Sequence, residues 1–227
     1  MKAFQLLMTG AFAILVFGGC KKSGSDAQSS SSTVQVQLKA SNPTVVVNRI
    51  DGPGQIQWTS GTATATQVKL EAKQNNSQLE FKSTGLQQVD LFASVLVNLG
   101  NIVLPAGSYT EVEFKISLSP NGSSPAMDLN GQYTNGVGLV TPVVFTLNTL
   151  QDLKTEQNNV TVTGTGSITA LTTLDLAYIS NGITQALLNS ATITNGKILI
   201  SSSSNTNLYN IIVNNLQKTH HVDITHH

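Results

Sequence analysis

Residues 107–118 read GSYTEVEFKISL, and here Val112, Phe114, Ile116 and Leu118 alternate with Glu111, Glu113, Lys115 and Ser117. A period of two sends every second side chain to the same face, so the segment predicts a strand with one buried apolar face and one wet charged face. Val34, Val36 and Leu38 alternate in the same way with Gln35, Gln37 and Lys39. Further strand-like runs cover 45–50, 55–58, 64–72, 78–82, 101–104, 137–147, 159–167, 171–176 and 197–201. Threonine and valine are frequent in them, and β-branched side chains suit a pleated surface. Between the runs lie Asp51-Gly52-Pro53-Gly54, Asn121-Gly122, Asn130-Gly131, Asn135-Gly136 and Asn195-Gly196. These residues reach positive φ readily and read as tight turns. Many short strands with turns between them, and no alternation of strand with helix, predict an all-β chain built as an antiparallel sandwich or barrel, the sandwich being the expected form.

Two stretches toward the C-terminus depart from this period. Residues 177–190 and 207–218 read as short helices, the second with an apolar stripe of Leu208, Ile211, Ile212 and Leu216 and with Asn205 or Thr206 as its cap. Residues 90–99, DLFASVLVNL, fit a short helix or an apolar strand equally well.

Composition narrows the class. The chain has 227 residues, twelve basic and twelve acidic side chains, and a formal charge of zero. Charged residues make up 11%, against about 25% in an ordinary soluble domain. Its polarity comes instead from 23 Ser, 26 Thr, 20 Asn and 16 Gln. Without a basic excess there are no counterions to release, which argues against a nucleic-acid partner. The 40% hydrophobic content suffices for a core and argues against a disordered chain.

The N-terminus reads MKAFQLLMTGAFAILVFGGC. Lys2, the apolar run 3–17 and Gly18-Gly19 give the three-part build of a secretory signal peptide, too short for a comfortable spanning helix. Cys20 is the only cysteine, and its position resembles a bacterial lipobox, with Phe17 where such boxes usually carry Leu. The resemblance implies a signal peptide over 1–19, cleavage before Cys20 and lipid attachment to its sulfur. Each buried methylene of such a chain contributes about 0.8 kcal/mol, enough for two or three chains to hold the protein on a membrane. Residues 21–33, KKSGSDAQSSSST, read as a flexible tether. Residues 20–33 are thus expected to be lipidated cysteine and tether, 34–204 the sandwich, and 205–227 a C-terminal helix with a mobile His-rich tail. No Asp follows Cys20 directly, and by resemblance to bacterial sorting rules this favours the outer membrane, facing either periplasm or exterior.

Residues 104–109 read LPAGSY and lead into the alternating strand. This resembles the leucine-proline-alanine-glycine-x-tyrosine signature of a prokaryotic, lipoprotein-associated family of domains of unknown function. Trp58-Thr59, Val68-Lys69-Leu70-Glu71, Val89-Asp90-Leu91-Phe92 and Leu174-Asp175-Leu176 match the family in order. The resemblance implies an immunoglobulin-like or transthyretin-like sandwich without established catalysis. Read physically, Leu104, Pro105, Ala106, Gly107 and Tyr109 form a corner. Pro105 ends one strand, Gly107 permits a turn, and Tyr109 buries its ring while its hydroxyl reaches backbone, as in a tyrosine corner.

Sites of chemistry are sparse. All four histidines, His220, His221, His226 and His227, lie in the last eight residues, a poor platform for a Ser-His-acid triad. With Asp223 they offer a weak, adventitious metal tract. Glu111 and Glu113 share a strand face but read as solvated surface groups rather than a glycosidase pair. Asp51 and Asp128 sit in turns too poor in oxygens for calcium, and Gly164-Thr165-Gly166 lacks the Lys and helix of a phosphate loop. Trp58, Tyr133 and the Asn/Gln-rich surface leave a carbohydrate ligand open. The expected function is a lipid-anchored, non-catalytic binding or structural module of the cell envelope that needs no cofactor. Glycan or metal handling is the alternative, and any carbohydrate or protein ligand is unnamed.

Overall fold

The computed structural model describes residues 30–47, 54–75, 77–164, 166–218 and 220–227. Cys20, the signal segment, most of the tether and the Asp51-Gly52-Pro53 turn lie outside the described residues. Thirteen strands and three helices follow in chain order among the described residues. They are β1 (Ser31–Ser41), β2 (Thr44–Val47), β3 (Gly54–Gln74), β4 (Ser77–Asp90), β5 (Gly100–Pro105), β6 (Gly107–Leu118), β7 (Met127–Thr134), β8 (Val140–Leu147), β9 (Gln151–Val162) and β10 (Ser167–Asp175). Then come α1 (Leu176–Ile179), α2 (Gln185–Asn189), β11 (Ile193–Thr194), β12 (Lys197–Ile200), α3 (Thr206–Leu216) and β13 (His221–His226). The protein is therefore mostly β, as its period predicts.

The strands form two sheets. One has the order β13-β10-β1-β5 and the other β11-β12-β8-β7-β3-β6-β9, with β2 and β4 also paired to β3. β3 organises the second sheet. It runs for 21 residues, against a usual strand of about 5–6. Its first half pairs with β2 and β7, its second with β4 and β6. Register shifts at Trp58/Ser60 and Ala65/Gln67 mark bulges between the halves, where an extra residue bends a strand and increases its twist. The sequence reads as two strands here because the bulges interrupt its alternation.

Buried side chains of both sheets and of the three helices form one hydrophobic cluster. Val34, Val36 and Leu38 of β1, Leu70 and Trp58 of β3, Phe114 of β6 and Phe145 of β8 all belong to it. Burying a side chain of this size contributes roughly 1.5–3 kcal/mol. α3 supplies Leu208, Tyr209, Ile212 and Leu216 to the same cluster, with the Tyr209 ring 5.9 Å from that of Phe145.

Several expectations need correction. Two strand pairs, β1 with β10 and β8 with β12, are parallel, so the sheets are mixed; each pair joins segments far apart in sequence, which no hairpin fixes antiparallel. The tether is shorter than expected, since Ser31–Thr33 already pair with Val103–Pro105. Asn130-Gly131 is no turn but lies within β7, paired with Trp58 and Ser60 at the bulge. A Cβ on Gly131 would stand 3.0 Å from the Trp58 Cα and crowd its ring, so the glycine serves close approach rather than reversal. Residues 91–99 form neither helix nor strand. Helix 177–190 is two short pieces, α1 and α2. Asn205 occupies the N-cap of α3 in the left-handed region without capping it; its amide instead donates to Thr192 O and Leu199 O, while its Oδ1 accepts from Thr192 N–H.

The C-terminus is also not a mobile tail. β13 pairs with β10 from Ile168↔His226 to Thr173↔His221. His220 is buried, and its N–H donates to Lys154 O at 2.7 Å. The last residues thus stitch the edge of the first sheet to β9 of the second.

Candidate functional site

The signature is a structural corner. The Tyr109 ring is 1% exposed and its hydroxyl donates to Pro105 O at 2.7 Å. Burial raises its pKa, which keeps the donor proton in place. Leu104 is buried, Ala106 N–H donates to Ser30 O at 2.8 Å, and Pro105 ends β5. Gly107 plays a different part from the one expected: it opens β6 paired with Val162, and a Cβ there would collide with the Gln74 carboxamide. The corner lies beside Ser30, the first of the described residues.

The other pole carries a cleft. β1 runs about 35 Å from Ser31 at 3.2–3.4 Å per residue, and its far end delivers Lys39 and Ser41. β10 lies parallel beside it, β13 antiparallel, so Lys39, Thr173 and His221 fall in one row across the three strands, and Ser41 neighbours Asp175. With Tyr178 and Asp223 these residues line a cavity of about 480 Å³. A second of about 470 Å³ adjoins it, sharing Asp175 and Tyr178 and otherwise lined by uncharged residues.

The cleft's polar groups are largely engaged in holding it. The Asp175 carboxylate caps α1, accepting from Ala177 N–H at 2.9 Å and Tyr178 N–H at 3.1 Å, and takes a third bond from Asn42 Nδ2 at 3.0 Å. Asp223 Oδ1 lies 2.9 Å from His221 Nε2. Asn215, buried on α3, donates to Ile179 O and Asn181 O at 3.1 and 2.8 Å. This seats the end of α1 and leaves the Tyr178 ring 39% exposed. The Lys218 ammonium stands 5.8 Å from that ring's centre, within cation–π range. Sequence reasoning missed Tyr178 as a site residue; its isolation as an exposed aromatic depends on where α1 lands.

The histidines do not converge. His220 faces inward, its Nε2 3.0 Å from Leu216 O, and burial lowers its pKa. His221 pairs with Asp223, His227 Nε2 lies 3.3 Å from Thr169 Oγ1 at the opposite end of β13, and His226 is exposed. Among the described residues no group of three His, Cys, Asp or Glu could hold a metal ion. Trp58 and Tyr133 are buried, with their polar atoms on Ser180 Oγ (3.4 Å) and Asn189 Oδ1 (2.8 Å), so neither can stack on a sugar. Asp128 is likewise taken, by Asn130 and Thr146.

A second feature lay hidden in the sequence. On the outer face of β4-β3-β6-β9, Glu80, Glu71, Glu113 and Glu156 align in one row across the strands. Lys82, Lys69, Lys115 and Lys154 form the adjacent row. Like charges directly opposite one another destabilise a sheet, and ion pairs along and diagonally between the strands compensate. Lys69 bridges Glu71 and Glu80, Lys82 reaches Glu80 at 2.7 Å, and Lys115 reaches Asp152 at 3.4 Å. Hydrogen bonds from Lys69 and Lys82 hold the Glu80 carboxyl down to about 2. Glu111 joins Lys73 at 2.6 Å, and Glu113 lies 3.9 Å from Lys154. Both glutamates are thus surface groups paired with lysines.

No protein-family model matches the chain, and neither a curated protein nor a solved structure matches it. Among the described residues no helix is long and apolar enough to cross a membrane.

Proposed function

We propose that this protein is a lipid-anchored, non-catalytic module of a bacterial cell envelope, held at the outer membrane through Cys20 and taking its ligand at the distal cleft. The fold is read as a sandwich of the immunoglobulin or transthyretin kind, related to the lipoprotein-associated domains with the LPAGxY signature. The tyrosine corner supports that kinship, since Tyr109 and Pro105 make the bond that the signature's residues invite.

One observation carries the functional reading: Ser30 and Ser31 lie beside the corner, and the cleft lies at the other end of β1. An anchor attached through a short polar segment would therefore hold the cleft away from the bilayer, facing solvent. Binding fits the groups there, since the Asp175 carboxylate is committed to three donors, two of them in a helix cap.

The test compares the full chain with Cys20→Ser in a bacterial host fed labelled palmitate. The parent protein should carry label and sediment with outer membranes, and the variant should be unlabelled and released. Equal sedimentation and equal mobility of the two would overturn the anchoring.

A further inference from the structure

The two cavities at the distal pole meet at two side chains. Asp175 and Tyr178 line both, so the exposed Tyr178 ring stands between a lobe of about 480 Å³ and one of about 470 Å³. Each lobe is of small-molecule size by the usual range of about 300–1,000 Å³. A ligand filling both must be elongated and must pass over the ring.

The charges around the pair balance: Lys39 and Lys218, whose ammonium stands 5.8 Å from the centre of the Tyr178 ring, face Asp175 and Asp223. The first lobe sets Lys39 against Asp223, which His221 already engages; the Asp175 carboxylate has three donors of its own. The second lobe has no other charge; Ser180, Asn181 and Thr184 supply hydroxyl and amide groups beside Val45, Val46 and Ile183. Neutral hydrogen-bonding groups around apolar surface, with one exposed aromatic face, suit a molecule whose rings have a C–H face and a hydroxyl rim.

We infer that the cleft binds a neutral oligosaccharide laid across Tyr178, with successive sugar rings in the two lobes. This rests on the reading of the distal cleft as the ligand site. Tyr178 supplies the stacking platform; Ser41, Thr173 and Asn181 supply hydrogen bonds on either side. The sugar role expected of Trp58 and Tyr133 is thereby relocated, since both of those rings are buried.

The full chain, purified in a zwitterionic detergent that carries no sugar headgroup, is titrated with cellotetraose, chitotetraose and maltotetraose. Trp58 reports, because its indole N–H lies 3.4 Å from the hydroxyl of Ser180 in the second lobe. At least one tetrasaccharide should saturate the signal, its monosaccharide should bind at least tenfold more weakly, Tyr178→Ala should weaken binding at least tenfold, and Tyr178→Phe should retain it. Saturation by none of the three, or binding indifferent to Tyr178→Ala, overturns the inference. Two further titrations separate its failure from that of the cleft. If citrate or a neutral Gly-Ser octapeptide binds in a Tyr178-dependent way while the sugars do not, the cleft stands and the sugar assignment falls. Silence from sugars, citrate and peptide together removes both.

Discussion

Replacing Tyr109 by Phe tests whether the corner is a stabilising element. The substitution keeps the buried ring and deletes one hydroxyl, whose bond to Pro105 O is 2.7 Å long on a residue 1% exposed. A net hydrogen bond contributes about 0.5–1.5 kcal/mol, and a carbonyl that loses its partner in a buried place adds to that. The expected loss is about 1–2 kcal/mol. For a domain of 150–250 residues each kcal/mol shifts Tm by roughly 2–4 °C, so calorimetry should show a fall of about 2–8 °C. The effect should be local as well. Ala106 N–H, bonded to Ser30 O beside the corner, should exchange faster with deuterium, while amides of β8 such as Phe145 should change only as global stability does. A variant as stable as the parent, with unchanged exchange at Ala106, would refute the reasoning.

Three further outcomes follow from buried groups. Thr172 points into the core at 1% exposure, with no hydrogen-bond partner for its hydroxyl; Thr172→Val should raise stability by about 1 kcal/mol, read as a higher urea midpoint with an unchanged slope. Burial holds the His220 imidazole below its usual 6.5, so the unfolded chain takes up the proton more readily than the fold. Stability on this account is full above pH 6.5 and declines as pH drops below it; His220→Gln should flatten the decline measured by urea titration between pH 8 and 5. Gly131→Ala should cost about 2 kcal/mol or more, because the added methyl meets the Trp58 backbone and ring at the bulge; its thermal midpoint should fall well below that of Gly85→Ala, where nothing lies within 4 Å.

What could be read in the sequence was local. The alternation of residues 111–118 is β6, and Asn135-Gly136 and Asn195-Gly196 are the reversals between β7 and β8 and between β11 and β12. The bond between Tyr109 and Pro105 was legible because its partners are four residues apart. What was hidden depended on partners distant in the chain. β7 was missed because Asn130-Gly131 reads as a turn, whereas Gly131 is small for the sake of Trp58. β13 was missed because only Val222 and Ile224 alternate in it, and its pairing with β10 is a tertiary choice. The glutamate and lysine rows cannot be seen in one dimension, since register alone brings Glu71 level with Glu80 and Glu113. Tyr178 escaped for the same reason: its exposure follows from Asn215 holding α1 from a helix 36 residues away.

The placement of β1 has a mechanical consequence. It lies inside its sheet, bonded to β10 on one side and to β5 on the other. Tension drawn through the residues before Ser31 runs along this strand's axis and must slide both ladders at once instead of peeling one bond after another. A forced rupture along this axis is governed by the barrier to that concerted slip, so the strand that spans the two poles would yield late under a pull from that end.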